Sequence, residues 1–244
     1  MKKSSKLGNV YRNSYDAVAG RHPFQRPWHF QWSAVCGLHK ELKNMAPELN
    51  GDVLDLGCGN KPYESWLTGA VNYTGVDIEP GEKVDYVIKP DERLPFPDGT
   101  FDVVVAFEVL EHVENLEHTL KEIRRVLKSQ GLIVASVPFL YQVHGAPGDF
   151  RRFTKFSAKG LFPDDIDVDW VKSLGGFGTT LSIFILAWIE SSANRRKITR
   201  IAKGALLPVW IGVCFLVNMF GKALDSVDKT DSFYHHVLMV LRKK

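Results

Sequence analysis

Residues 53–63, Val-Leu-Asp-Leu-Gly-Cys-Gly-Asn-Lys-Pro-Tyr, constrain the fold more than any other stretch of the chain. A short apolar run carries the acid Asp55 near its end, and Gly57 and Gly59 follow. A buried parallel strand that opens into a glycine turn ahead of a helix brings a nucleoside-bearing cofactor against bare backbone. Lacking a Cβ, the two glycines accept positive φ and close approach. Pro62 and Tyr63 stand where the third glycine of a dinucleotide fingerprint would fall. That argues against a pyrophosphate seated on a tightly packed helix start, and so against a nicotinamide oxidoreductase.

A second β-rich stretch, Tyr73 to Asp77, also ends in an acid, 22 residues after Asp55. An acid at that distance is placed to accept hydrogen bonds from ribose hydroxyls. Apolar strands are predicted near 52–56, 73–77, 84–88, 102–107 and 131–137, in five strand–helix alternations. Leu116, Leu120, Ile123 and Leu127 form one apolar stripe, which predicts a helix over 114–128 with Gly131 as its stop signal. Trp32, Val35, Leu38 and Leu42 predict another helix from Trp28 to Met45. Such alternation implies a parallel sheet covered on both faces, with ligands at the carboxyl ends of the strands. Asp55, Asp77, Glu108 and the loop after Pro138 all fall there.

Together the first two stretches resemble motifs I and II of the class I S-adenosylmethionine-dependent methyltransferases. The run from Leu94 to Val113, Leu-Pro-Phe-Pro-Asp-Gly-Thr-Phe-Asp-Val-Val-Val-Ala-Phe-Glu-Val-Leu-Glu-His-Val, is similar to the family's next block. The resemblance, firm over residues 50–160, implies an α/β, Rossmann-like, doubly wound seven-stranded sheet. That sheet is mostly parallel, with an antiparallel last strand at His235 onward, and an apolar helical insertion precedes that strand. The implied organisation is an N-terminal arm and helix over 1–48 acting as a lid, and a cofactor-binding core over 49–177. The helical insertion covers 178–224 and the final strand lies in 225–244.

The resemblance implies S-adenosyl-L-methionine as cofactor. Asp55 and the segment Gly57, Cys58, Gly59 and Asn60 would take its methionine end, Asp77 its ribose and Ile78 its adenine. Asp91, in the turn before Leu94, would add an adenine contact, and Phe107 and Glu108 would lie near the transferable methyl. Residues 138–154 resemble the acceptor loop of methyltransferases of surface-polysaccharide and lipid-linked sugar synthesis. From that loop His144 is the choice of general base, because an imidazole takes a hydroxyl proton at neutral pH. Asp149 and Arg152 read as a structural ion pair, and Thr154 as the N-cap of a short helix to Phe162. Glu108, Glu111 and His112 sit at i, i+3 and i+4, which converge on a helix. A similar Glu-x-x-Glu-His holds a divalent ion in ubiquinone-pathway and small-RNA methyltransferases. The expectation nonetheless is no metal.

Residues 1–27 are polar and read as an extended arm. Its aromatic and basic residues could stack single-stranded nucleic acid, but an arm in this fold more often closes over the cofactor. A net charge of +3 does not by itself imply nucleic acid, which is not expected as a partner. Three widely spaced cysteines and no Cys-x-x-Cys fit a reducing cytoplasm, and the N-terminus does not read as a signal peptide. Between 178 and 222, two apolar runs flank the basic residues Arg195, Arg196, Lys197, Arg200 and Lys203. Neither run reaches 18 uninterrupted apolar residues, and Pro208 and Asn218 break the second. Three readings stay open: a helical cap or homodimer face, a hairpin peripheral to the inner face of the membrane, and true spans. The expected activity is O-methylation of a small-molecule or glycan acceptor, one that is lipid-linked included. The alternatives are a metal-dependent RNA or quinone methyltransferase and a non-catalytic cofactor-binding subunit.

Overall fold

The computed structural model describes residues 6–162, 165–195 and 197–244. Arg196 and the N-terminal Lys2 and Lys3 lie outside them. In chain order the elements are α1 (Lys6–Ala19), α2 (Trp32–Met45), β1 (Gly51–Leu56), β2 (Ala70–Asp77), β3 (Tyr86–Val87) and β4 (Phe101–Phe107). Then follow α3 (Leu116–Val126), β5 (Leu127–Pro138), α4 (Lys155–Lys159) and β6 (Ile166–Leu174). The chain ends with α5 (Phe177–Arg195), α6 (Lys197–Ala205), α7 (Leu207–Val227) and β7 (His236–Lys243). Two compact units result: a sheet unit of Leu38–Leu174 with His235–Lys244, and a helical unit of Met1–Gly37 with Gly175–Tyr234.

In the sheet unit the strand order is β3-β2-β1-β4-β5-β7-β6. Strands β1 to β5 pair in parallel, while β7 runs antiparallel to both β5 and β6. The expected seven-stranded, mostly parallel sheet with a reversed last strand is therefore present. Val103, Val104, Val105 and Ala106 are all buried, the continuous apolar run of a strand covered on both faces. On one face Leu38, Leu42 and Leu49 pack against Val53, Val103, Val134 and Leu238.

The helical alternation is weaker than the sequence implies. Among the described residues, no helix lies in 57–69, 78–85 or 88–100. Lys61 takes φ +49 directly before Pro62, which ends any helix at its start. Pro80, Pro90, Pro95 and Pro97 punctuate the later connections. The predicted helix over 114–128 is shortened to α3, capped by Asn115, whose side chain accepts from the His118 amide. Leu127 already begins β5, and Gly131 lies inside that strand at a register shift rather than stopping a helix. The helix expected from Trp28 begins at Trp32. Thr154 does cap α4, accepting from the Ser157 amide.

In the helical unit the supposed extended arm is largely a helix. Tyr15 and Ala19 lie one turn apart on α1, and both are buried in a cluster with Leu186, Trp210 and Cys214. Helices α5 and α7 touch at Gly178 and Gly221, where a Cβ on Gly178 would meet the Gly221 carbonyl oxygen at 2.1 Å. Pro208 falls in the first turn of α7, where a missing N–H costs nothing, so it starts the helix instead of breaking it. The result is a 21-residue helix long and apolar enough to cross a membrane by length and composition.

Candidate active site

The site grows from the carboxyl ends of β1, β2 and β4. Gly57 takes φ +70, and a Cβ there would meet Val109 Cγ2 at 2.4 Å. Its backbone thus passes where no other residue fits. The turn is clamped to β2: the Gly57 and Cys58 amides both donate to the Val76 carbonyl, at 2.8 and 3.1 Å. The Gly59 amide donates to Asp77 Oδ2 at 2.9 Å, and the Glu79 amide to Asp77 Oδ1 at 3.0 Å. Each oxygen keeps a lone pair for a further donor.

A cleft of about 300 Å³ opens beside this turn. Leu56, Gly57, Asp77, Ile78 and Asp91 line it, as do Val109, His112 and Phe150. The wall from 88 to 94 has no regular structure, and Arg125 anchors its end by donating to the Leu94 and Phe96 carbonyls at 3.0 and 2.7 Å. Glu122 completes the anchor by accepting from the Leu94 amide at 2.9 Å. Apolar walls, an oriented acid and a glycine backbone suit the adenosyl part of S-adenosylmethionine.

Other residues marked by sequence lie elsewhere. Asp55 is 3 % exposed and does not line the cleft. Its carboxylate accepts from the Tyr73 hydroxyl at 2.6 Å, and burial pushes its pKa up to about 7. It braces β1 against β2. The Cys58 thiol is buried beneath Gly75, with its pKa pushed up to about 12 by burial. Gly59 and Asn60 sit at the turn but outside the cleft lining. Phe107 packs edge-on against Tyr63, its ring centroid 5.1 Å away.

Glu108 takes φ +55, a left-handed conformation uncommon for a side chain of its size. That turns its carboxylate away from Glu111 and His112, correcting the helical i, i+3, i+4 convergence. Its oxygens instead meet Ser136 Oγ at 2.6 Å and His236 Nε2 at 2.8 Å. Burial opposes its charge, but His236 and Ser136 hold its pKa below the usual value.

His144 takes the place beside Glu111 and His112 that Glu108 leaves. Its Nε2 lies 3.1 Å from His112 Nε2 and 3.5 Å from Glu111 Oε1, while Glu111 Oε1 to His112 Nε2 is 3.6 Å. Glu111 is fully buried, and neither of its oxygens makes a hydrogen bond. Burial raises its pKa, and Glu111 in turn raises that of His144. His112 Nδ1 faces the Gly148 carbonyl, so that nitrogen carries the proton and Nε2 is left as a lone pair. His144 Nδ1 faces Asp149 Oδ2 at 3.4 Å, and the His144 amide donates to the same oxygen at 2.7 Å. Arg152 grips Asp149 through two nitrogens, at 2.5 and 2.8 Å, holding its carboxyl well below the usual range. The expected Asp149–Arg152 pair thus exists and steadies His144.

His112 belongs both to this cluster and to the cleft lining. The base candidate therefore stands one imidazole away from this cleft. Sequence reading weighed His112 as a metal ligand or as packing beneath the cofactor loop, and did not single out Val109 or Phe150. Their part depends on the closeness of the turn at Gly57 and of the loop at Gly148.

Residues 54–135 match a family model described as a methyltransferase domain. The chain is 26 % identical over 198 residues to the demethylmenaquinone methyltransferase of Lysinibacillus sphaericus, covering 75 % of this chain and 76 % of that protein. It is 32 % identical over 134 residues to the ubiquinone biosynthesis O-methyltransferase of Dechloromonas aromatica, covering 42 % of this chain and 58 % of that protein. A solved S-adenosylmethionine-dependent methyltransferase from Mesorhizobium loti superposes with a TM-score of 0.51 at 17 % identity, covering 88 % of this chain and 98 % of that one. That likeness bears on fold alone. Over residues 54–135 the chain thus carries a methyltransferase domain. Its cofactor is S-adenosyl-L-methionine.

Proposed function

We propose that the chain transfers the methyl of S-adenosyl-L-methionine to a hydroxyl oxygen of a small-molecule or glycan acceptor, a lipid-linked one included. The observation that carries this reading is the line Arg152, Asp149, His144, Glu111, with His112 joining it to the cleft. The cofactor supplies an electrophilic methyl on a sulfonium. The chain's own residues have to align the acceptor and remove its proton, and alignment accounts for most of the barrier lowering. His144, whose backbone amide donates to Asp149, is the residue that takes that proton, and buried Glu111 stabilises the imidazolium that forms. The match to an O-methyltransferase of ubiquinone biosynthesis supports oxygen as the acceptor atom. A cytoplasmic setting is part of the proposal, and the free thiols of Cys36, Cys58 and Cys214 are compatible with it.

Incubation with tritiated S-adenosylmethionine and fractionated lysate tests the proposal. Label in an alkali-stable form in a lipid, glycan or small-solute fraction, lost with His144→Ala, is the expected outcome. Label confined to protein or RNA would reject it.

The same cluster supports a second reading. Glu111 Oε1, His112 Nε2 and His144 Nε2 lie within 4.8 Å of one another, and their separations of 3.1 to 3.6 Å suit three ligands of one divalent ion. The carbonyl and carboxylate behind the two Nδ1 atoms resemble the outer partners of metal-bound histidines. Such an ion would polarise the acceptor hydroxyl. The ligand set is then Glu111, His112 and His144, not the sequence-based Glu108, Glu111 and His112. Activity lost in EDTA and restored by a divalent salt favours this reading, and full activity in EDTA removes it.

A further inference from the structure

Helices α5 and α7 each have a packed face and a bare one. On α5, Ile183 and Leu186 are buried, whereas Leu181, Phe184, Ile185 and Trp188 are exposed, with Trp188 at 70 %. Those four fall at i, i+3, i+4 and i+7, a single stripe. On α7, Trp210, Cys214, Asn218 and Gly221 face inward, while Leu216 and Phe220 are 68 % and 64 % exposed. Only 22 % of the apolar window of α7 is buried. The two helices pack together, with Ser182 Oγ donating to the Val217 carbonyl at 2.9 Å. Contiguous apolar surface of this kind marks an interaction site.

The inward faces show that these helices are not free to act as isolated spans. Asn218 accepts from Ser33 Oγ at 2.6 Å and donates to the Pro27 and His29 carbonyls at 2.8 and 2.9 Å. Helix α1 packs on the same side, and its Arg12, Asn13 and Ser14 are exposed. A bundle with polar residues exposed on α1 and bare apolar side chains on α5 and α7 suits an interface, not a hydrocarbon interior.

Charge is divided unevenly between the two units. The helical unit carries thirteen Lys and Arg against five Asp and Glu, a formal charge of +8. The sheet unit carries eighteen against twenty-three, or −5. The unit that carries the bare apolar faces thus also carries the excess of cations in its sequence. Phosphate-bearing lipid headgroups over acyl chains match that pairing, with basic residues drawn to the anionic surface and aromatic ones to the interface.

We propose that the outer faces of α5 and α7 seat the helical unit on an anionic lipid surface, as a peripheral contact and not as a membrane span. The inference is independent of the acceptor's identity.

Sedimentation of the full chain with vesicles tests it, using phosphatidylcholine alone and equal parts of phosphatidylcholine and phosphatidylglycerol. The expected result is capture by the anionic vesicles, weakened by raised ionic strength. Alkaline carbonate should release the captured protein, as it does a peripheral one. The double substitution Leu216→Ser with Phe220→Ser should lower partitioning by about tenfold or more, since two large apolar side chains no longer enter the interface. Because both positions are exposed, S-adenosylhomocysteine binding and the unfolding temperature should stay unchanged. Absence of capture by either vesicle, or capture unaffected by the double substitution, would overturn the proposal. So would resistance to carbonate, which indicates spanning. A wild-type dimer that the substitutions convert to monomer without any vesicle binding would also overturn it, by assigning the face to a second copy.

Discussion

Replacing Gly57 by Ala tests whether the glycine turn is set by close packing. At φ +70 an L-residue costs about 1–2 kcal/mol more than glycine. The added Cβ would also stand 2.4 Å from Val109 Cγ2, too close without movement of Val109 or the turn. Overpacking of that kind costs about 1–3 kcal/mol. The two contributions give a loss of about 2–5 kcal/mol. At roughly 2–4 °C per kcal/mol, the melting transition of the sheet unit should fall by about 4–20 °C. The two contributions can be separated with Val109→Ala, which removes the clashing methyls but leaves the backbone conformation unchanged. The double variant should therefore be less destabilised than the sum of the single ones, with a coupling of about 1–3 kcal/mol. Denaturant unfolding followed by circular dichroism reads all four proteins. A Gly57→Ala protein as stable as wild type, or strict additivity with Val109→Ala, would refute the packing explanation.

Two further predictions concern the base cluster. Glu111 raises the pKa of His144, and a base acts only when deprotonated, so methyl transfer should increase as pH rises through a midpoint above the ordinary imidazole value of about 6.5. In Glu111→Gln that midpoint should move down toward 6.5, which a pH–rate profile on a labelled acceptor fraction will show; an unmoved midpoint removes Glu111 from the role. Asp149 has a folded pKa depressed chiefly by Arg152, so its stabilisation is present above the ordinary Asp value of about 3.9 and is lost as pH falls through the lower folded value. The Asp149 side chain is 1 % exposed, and Asp149→Asn should cost about 3 kcal/mol at neutral pH, a gap that closes on acidification. A gap that is constant with pH would contradict this.

Much of the sheet and of the lining of the candidate cleft was legible because local chemistry specifies them. Gly57, Asp77 and the Leu94-to-Val113 block each announce a strand end or a turn by residue type alone. The connections were less legible, because an apolar strand implies burial without saying what covers it. Lys61 before Pro62, and the prolines from 80 to 97, favour irregular turns where the alternation suggested helices. The base cluster was partly legible: His144 was marked, but its approach to Glu111 and His112 depends on a loop path. The turn of Glu108 away from them rests on a left-handed backbone that its residue type does not signal. Asp55 carries a feature that its residue type does not signal, since this strand-end acid is engaged by Tyr73 from the neighbouring strand. In α1, Tyr15 and Ala19 have helical spacing, but the surrounding polar residues masked it.

The most direct test is calorimetric titration of S-adenosylmethionine into the wild-type chain and into Asp77→Ala. The wild type should bind one equivalent. The variant should bind more weakly by about 1–3 kcal/mol, or roughly 5- to 150-fold, the scale of a lost hydrogen bond to a charged group. No binding by the wild type, displacement by NADH, or equal affinity in Asp77→Ala would contradict the account.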